Sequence, residues 1–229
     1  MKTVIVISGP TGVGKTNVAI QVASAFGSEI ISADSRQFYK EIPIGTATPT
    51  LIEQQTVTHH LISNLNISQY YNAFMYEQDA LKVCENLLKK HNIVILAGGS
   101  GMYVDAFCNG IDLIPDIEQD IRDSVLAQFE NQGIESLRQS LQILDPDYYA
   151  IVDLKNPKRL MRAIEVCLQT GKPYSNVRMN KTKPRAFNII KIALNLPREE
   201  LYQRINLRVE QMIHEGLETE AKSVAHLKD

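Results

Sequence analysis

Eight residues near the start of the chain, Gly9-Pro-Thr-Gly-Val-Gly-Lys15-Thr16, constrain its fold more than any other feature. They match the pattern G-x-x-x-x-G-K-[ST], and their flanks give the match its weight. Residues 3–8 are a continuous, largely β-branched run without alternation, as a parallel strand covered on both faces requires. After Thr16, the residues Ala19, Val22, Ala23 and Phe26 recur at helical spacing, and Gly27 stands where a C-terminal cap belongs. Strand, glycine loop and helix in that order make a phosphate cradle. Gly9, Pro10, Thr11, Gly12, Val13 and Gly14 let backbone N–H groups converge on phosphate oxygens, and the helix N-terminus adds its dipole. Lys15 supplies a mobile cation, and the Thr16 hydroxyl is the expected ligand for Mg²⁺.

The rest of the chain builds an α/β core around that unit. Ile30 and Ile31 begin a second short strand, a helix is predicted from about Tyr70 to Lys90, and residues 93–97 form a third buried strand running into Gly98-Gly99-Ser100. The next strand-like stretch begins only at Phe187, far beyond what a crossover helix needs. Between these points the periodicity is helical, with breakers at Pro115, Gly133, Pro146, Pro157 and Gly171. The expected organisation is a parallel-sheet core from residues 1–110 and 187–229, carrying an inserted helical domain at 111–186. A closing helix is predicted over roughly Glu199 to Lys222.

The formal charge of −2 hides a sharp segregation. Residues 111–150 carry 9 acidic and 2 basic side chains, a net of −7, whereas residues 151–191 carry 10 basic and 2 acidic, a net of +8. On a helix through 155–168, Leu160, Met161, Ile164, Cys167 and Leu168 make a buried stripe, and Lys155, Arg159 and Arg162 line a neighbouring face. Such a face is either merely solvated or a contact for a polyanion. Cys84, Cys108 and Cys167 are widely spaced, which fits reduced core thiols and a cytoplasmic chain. No apolar run is long enough to span a membrane, and the adjacent His59 and His60 diverge too far to share a metal.

A cradle does not specify its phosphate ester. Hydrolases with this loop place an acidic residue at the end of another core strand, yet residues 93–97 end in Gly98-Gly99-Ser100. Nothing there aims a hydrolytic water. Asp34 instead follows the second strand, at the sheet edge where ligands of open α/β folds collect. From there a carboxylate can take a proton from a nucleophile attacking beside the cradled phosphates, or it can simply cap a turn.

Beyond the cradle, the ordered segments Asp34-Ser35-Arg36-Gln37-Phe38-Tyr39, Ile44-Gly45-Thr46-Ala47, His59-His60-Leu61-Ile62, Gly98-Gly99-Ser100-Gly101-Met102-Tyr103 and Asn156 to Glu165, together with Leu201 to Arg208, resemble the bacterial tRNA dimethylallyltransferases. The resemblance implies a P-loop NTPase-like core and transfer of a dimethylallyl group from its diphosphate to N6 of adenine 37, beside the tRNA anticodon. It implies that residues 9–16 bind the diphosphate with Mg²⁺ and that Asp34 is the general base. It aligns Asp34, Ser35, Arg36, Gln37, Ser100, Arg122, Lys158, Arg159, Leu160, Met161 and Arg162 with tRNA-contacting positions. A cytoplasmic monomer acting on the anticodon stem-loop is the corresponding expectation. Departures are Ser100 for a usual threonine, Thr48 for a lysine and Ser63 for an aspartate. Family members also continue past this end through a Gly-Tyr segment and a basic helix, so that part of their pattern is expected to be missing. The same cradle, common to nucleotide-binding and ATP-binding chains, leaves three alternatives: a small-molecule kinase, an isopentenyltransferase acting on free adenylate, and a non-catalytic nucleic-acid-binding fragment.

Overall fold

The structure, a computed structural model, describes residues 1–178 and 181–227, so the expected core boundary at 228–229 lies outside the described residues. In chain order the elements are β1 (Thr3–Ser8), α1 (Lys15–Ala25), β2 (Ile30–Ser32), α2 (Leu51–Thr56), β3 (His59–His60), α3 (Ala73–Lys90), β4 (Ile93–Ala97), α4 (Gly101–Asn109), α5 (Gln119–Leu144), α6 (Pro146–Tyr149), α7 (Pro157–Thr170), α8 (Tyr174–Val177), β5 (Asn188–Ala193), α9 (Arg198–His214) and α10 (Leu217–Val224). They divide between two compact units, one of Met1–Ile111 with Thr182–Asp229 and one of Asp112–Lys181.

The first unit is an α/β layer structure. Its sheet has the order β3-β2-β4-β1-β5 and every pairing is parallel. The apolar runs of β1 and β4 lie at its centre, with Val4, Ile7, Val94, Ile95 and Leu96 all fully buried. One face of the sheet is covered by α3 and α4, through Tyr76, Ala80, Cys84 and Phe107, and the other by Ala19 and Ala23 of α1. The predicted helix of 70–90 starts at Ala73 because the Asn72 side chain accepts from the Met75 amide. A short helix, α2, was not anticipated, although Thr50 and Glu53 spell out its capping box. The predicted closing helix is two helices, because Gly216 adopts a left-handed φ of 102° and turns α9 into α10.

Glu77, on α3, is 1% exposed. It accepts from the Ile111 amide at 3.1 Å, from Lys183 Nζ at 3.1 Å and from an Arg185 guanidinium nitrogen at 2.9 Å. One carboxylate thus ties together the segments at the two ends of the interruption between α4 and β5.

The second unit is helical. Leu137 and Leu141 of α5 pack with Leu160, Ile164 and Cys167 of α7, and Gly133 breaks α5 with a φ of 74°. Asp145, 1% exposed, caps α6 through the Tyr148 amide and also accepts from the amide and hydroxyl of Ser175. Leu168 departs from the expected buried stripe of α7 and is 48% exposed. Among the described residues no helix is long and apolar enough to cross a membrane.

Candidate active site

The cradle forms where β1 ends beside β4 and β5. Gly9, Gly12 and Gly14 have φ of 150°, 85° and 96°. A Cβ on Gly9 would lie 2.6 Å from the Leu194 carbonyl oxygen, and one on Gly12 would lie 2.9 Å from Ile205 Cγ1, so backbone conformation and close approach both demand glycine. Gly14 is the N-cap of α1 and lends it no side-chain hydrogen bond. The first amides of α1 therefore keep their capacity for an anion.

Lys15 Nζ donates to the carbonyl oxygens of Gly9 and Pro10 at 2.9 and 2.8 Å, so the ammonium lies across its own loop. On its other side is Gly99, where a Cβ would come within 3.4 Å of Nζ. Burial lowers the Lys15 pKa, the Asp34 carboxylate opposes that shift, and Arg208 reinforces it. Both groups are thus near enough to Lys15 to act on its charge.

Asp34 sits in a turn just past β2. Its Oδ1 accepts from the amides of Arg36 and Gln37 at 2.9 and 3.3 Å, an Asx turn that fixes the carboxylate at the carboxyl edge of the sheet. The turn is anchored from below. A Cβ on Gly98 would lie 2.0 Å from the Ala33 oxygen, so only glycine lets the end of β4 press against the end of β2. That approach brings the Ser100 hydroxyl under the turn, where it accepts from the Ser35 amide at 2.8 Å. Phe38, packed edge-on to Tyr39 and Tyr71, and the Tyr76 hydroxyl, which donates to the Ser32 carbonyl, hold the next turn of chain.

Gln37 points inward. The Ser32 hydroxyl donates to its Oε1, and its Nε2 donates to the carbonyls of Thr46 and Ala47. Its amide therefore braces the 43–48 loop, while Arg36 is exposed at the tip of the turn.

That loop walls a cavity of about 540 Å³ that reaches Thr16. Pro43, Ile44, Ala47 and Pro49 line it on the loop side, and Arg208 and Met212 of α9 also line it. The sequence places Leu201 to Arg208 of α9 within the family resemblance but assigns none of its residues to the site. Its Leu201 and Ile205 reach Gly12 while Arg204 lies over Gly14, and the four-residue spacing of Leu201 with Ile205 and of Arg204 with Arg208 was the available signal. Among the described residues no group of three or more His, Cys, Asp or Glu is arranged to hold a metal. His60 instead pairs with Glu29 at 2.7 Å.

The remaining expected positions belong to the helical unit. Lys158 and Arg159 are exposed on the first turn of α7, and Arg162 lies 3.7 Å from Glu165. Leu160 is completely buried in that unit's core, and the partly buried Met161 packs against it. Arg122 keeps a buried Nε that has no hydrogen-bond partner among the described residues.

Comparison with known proteins is consistent across sequence and structure. A family model described as IPP transferase matches residues 37–229. The chain is 50% identical over 224 residues to tRNA dimethylallyltransferase 1 of Bacteroides thetaiotaomicron, covering 98% of this chain and 73% of that protein. It is likewise 50% identical over 224 residues to tRNA dimethylallyltransferase 2 of Azobacteroides pseudotrichonymphae, with the same coverage. Among solved structures, the full-length tRNA isopentenylpyrophosphate transferase of Bacillus halodurans superposes with a TM-score of 0.66 at 31% identity, covering 100% of this chain and 71% of that one. A eukaryotic dimethylallyltransferase acting on tRNA superposes with a TM-score of 0.79 at 30% identity, covering 99% of this chain and 56% of that one. With a five-stranded parallel sheet, a glycine cradle at its edge and these matches along nearly its whole length, the chain belongs to the IPP transferase family.

Proposed function

We propose that this chain transfers a dimethylallyl group from dimethylallyl diphosphate to N6 of adenine 37 in tRNA. The observation that carries the reading is the pairing of a glycine cradle with a carboxylate, Asp34, fixed at the same sheet edge, while β4 runs on into Gly98 and Gly99 and offers no acid to aim a hydrolytic water. In the reaction the N6 lone pair attacks C1 of the allyl group, the C1–O bond breaks, and the diphosphate leaves with the bonding electrons. Asp34 accepts the N6 proton as the amine becomes a secondary amine. Negative charge grows on the leaving diphosphate, so the backbone N–H groups of residues 11–16, Lys15 and Arg208 stabilise the transition state more than the ground state.

Lys15 donates to its own loop carbonyls here and exchanges them for phosphate oxygens when the donor binds. The allyl arm is assigned to the cavity beside Thr16, whose walls include Pro43, Ile44, Pro49 and Met212. A single hydroxyl from Thr16 suits Mg²⁺, which keeps water and diphosphate oxygens as most of its ligands. When bound, the metal offsets charge on the diphosphate.

The tRNA side of the proposal rests on the separation of charge. Lys158, Arg159 and Arg162 share one stretch of α7, in the unit that also holds Arg122. These groups fit the phosphates of an anticodon stem-loop, with Asp34 to Gln37 and Ser100 near the adenine, which leaves its stack to react. tRNA as acceptor supports a cytoplasmic setting. The test is incubation with unmodified tRNA and dimethylallyl diphosphate, followed by mass analysis of the nucleosides. N6-(dimethylallyl)adenosine confined to position 37 is expected. Phosphate transfer from ATP without prenylation, or faster prenylation of free AMP than of tRNA, overturns the reading.

A further inference from the structure

The 43–48 loop is held from two sides by side chains that contribute nothing to the cradle. From one side Gln37 Nε2 donates to the carbonyls of Thr46 and Ala47 at 3.3 and 3.0 Å. From the other, the Glu220 carboxylate on α10 accepts from two successive amides, Ile44 at 2.7 Å to Oε2 and Gly45 at 2.7 Å to Oε1. A Cβ on Gly45 would stand 3.2 Å from Glu220 Oε1 and 3.3 Å from Leu217 Cδ1, so the loop lies directly on α10.

Two features show that this grip determines the loop's shape. Ala47 has a φ of 46°, a left-handed conformation that a non-glycine residue keeps only where its surroundings impose it. Two charge-assisted bonds on adjacent amides also form a short anion nest, stronger than neutral hydrogen bonds of the same length. The position of α10 gives the grip its consequence. It follows α9 through the Gly216 turn, and α9 supplies Arg208 and Met212 to the cavity that Pro43, Ile44, Ala47 and Pro49 also line. Glu220 therefore ties the loop wall of the cavity to the helical hairpin that forms the facing wall.

We propose that Glu220 is a positioning residue that sets the width of the cavity beside Thr16 and thereby selects the prenyl diphosphate donor by chain length. The proposal rests on the reading above that this cavity takes the donor's prenyl arm. Glu220 touches neither the diphosphate nor the reacting atoms. Its loss slackens the wall, so a five-carbon arm is gripped less firmly and a ten-carbon arm is excluded less strictly.

The test compares the full chain with its Glu220→Gln and Glu220→Ala variants, using dimethylallyl and geranyl diphosphates as donors and inorganic diphosphate as a competitive inhibitor that reports on the cradle alone. The expected result for Glu220→Ala is a fall of about ten-fold in the preference for the five-carbon donor, measured as the ratio of kcat/KM values, the equivalent of one charge-assisted bond. Glu220→Gln, which keeps one acceptor oxygen, is expected to fall between it and the parent. Inhibition by diphosphate is expected to be unchanged in both. An unchanged donor preference with intact diphosphate inhibition overturns the proposal, and so does a parallel weakening of diphosphate inhibition, which would mean that Glu220 supports the whole cradle. Met212→Phe, which fills the cavity, separates this outcome from failure of the underlying reading. If that variant leaves the KM for dimethylallyl diphosphate unchanged, the arm does not occupy the cavity, whatever Glu220 does.

Discussion

The Ser35 amide donates to the Ser100 hydroxyl at 2.8 Å, joining the turn that presents Asp34 to the end of β4. The Ser100 amide in turn donates to the Ala33 carbonyl at 3.3 Å, so the two strand ends are laced in both directions. A hydroxyl is required at position 100 only as an acceptor, which threonine supplies equally well.

Ser100→Ala leaves the Ser35 amide without its partner and lets the Asp34 turn drift. The expected effect is a fall of about five-fold in kcat with little change in the KM for dimethylallyl diphosphate, since the cradle is untouched and the lost bond is worth about 1 kcal/mol. Ser100→Thr is expected to retain the parent rate. Steady-state kinetics of the two variants, with melting curves to exclude unfolding, check this. Equal rates for Ala and Thr would remove Ser100 from the positioning of Asp34.

Asp34→Asn separates the turn from the chemistry. An amide oxygen still accepts from the Arg36 and Gln37 amides, so the turn is expected to survive with Tm within a few degrees of the parent, about the effect of a sub-kcal change. The side chain no longer takes a proton, and the single-turnover rate is expected to drop roughly 10²–10⁴-fold. A variant that prenylates tRNA at the parent rate would leave Asp34 as a turn residue and nothing more.

The sequence exposed the cradle because a strand, three special backbone positions and a helix are contiguous, and each reads locally. It exposed Asp34 by its place after β2. The interruption of the sheet was legible because a parallel sheet needs its next strand soon, and none came before Phe187. What stayed hidden depends on long-range approach. Gly98 matters because of Ala33, and Glu220 meets Ile44 across 176 residues of chain, a contact that no local period encodes. Gln37 and Leu160 show what the resemblance does not carry: Gln37 also braces a neighbouring loop, and Leu160 fills a core. Gly216 is the local signal for the split of the C-terminal helix, and the helical period on either side of it masks that signal.

Arg208 supplies a cation that is independent of the glycine loop. Arg208→Ala is expected to raise the KM for dimethylallyl diphosphate and to weaken inhibition by inorganic diphosphate together, by about 10–100-fold, the loss of one charge-assisted contact of about 1.5–3 kcal/mol. Lys15 responds as well. Burial depresses its pKa and Arg208 adds to the depression, so removing Arg208 moves the Lys15 titration upward. Donor affinity measured against pH in the alkaline range is then expected to hold to a higher pH in Arg208→Ala than in the parent, even though it is weaker throughout. An unchanged alkaline limb would place Arg208 outside the field that Lys15 feels.

Glu77 is the charged group whose loss the core unit is expected to tolerate least. Burial by itself would raise its pKa, but the bonds from Arg185, Lys183 and the Ile111 amide outweigh that and hold it below the ordinary value of 4.5. The sign follows from linkage. A carboxylate whose folded pKa is depressed contributes stability that is complete above its unfolded value and is lost as pH falls through the folded value. Urea midpoints of the parent chain are therefore expected to fall between about pH 5 and pH 3, where the unfolded carboxylate takes up its proton first. Glu77→Gln removes that part of the acid dependence, so its midpoint changes less over the same interval. It also leaves Arg185, only 8% exposed, without a counter-charge, and costs about 3–5 kcal/mol at neutral pH, as breaking a buried pair from one side does. Equal acid sensitivity in parent and variant would show that the cluster is already broken in the folded protein.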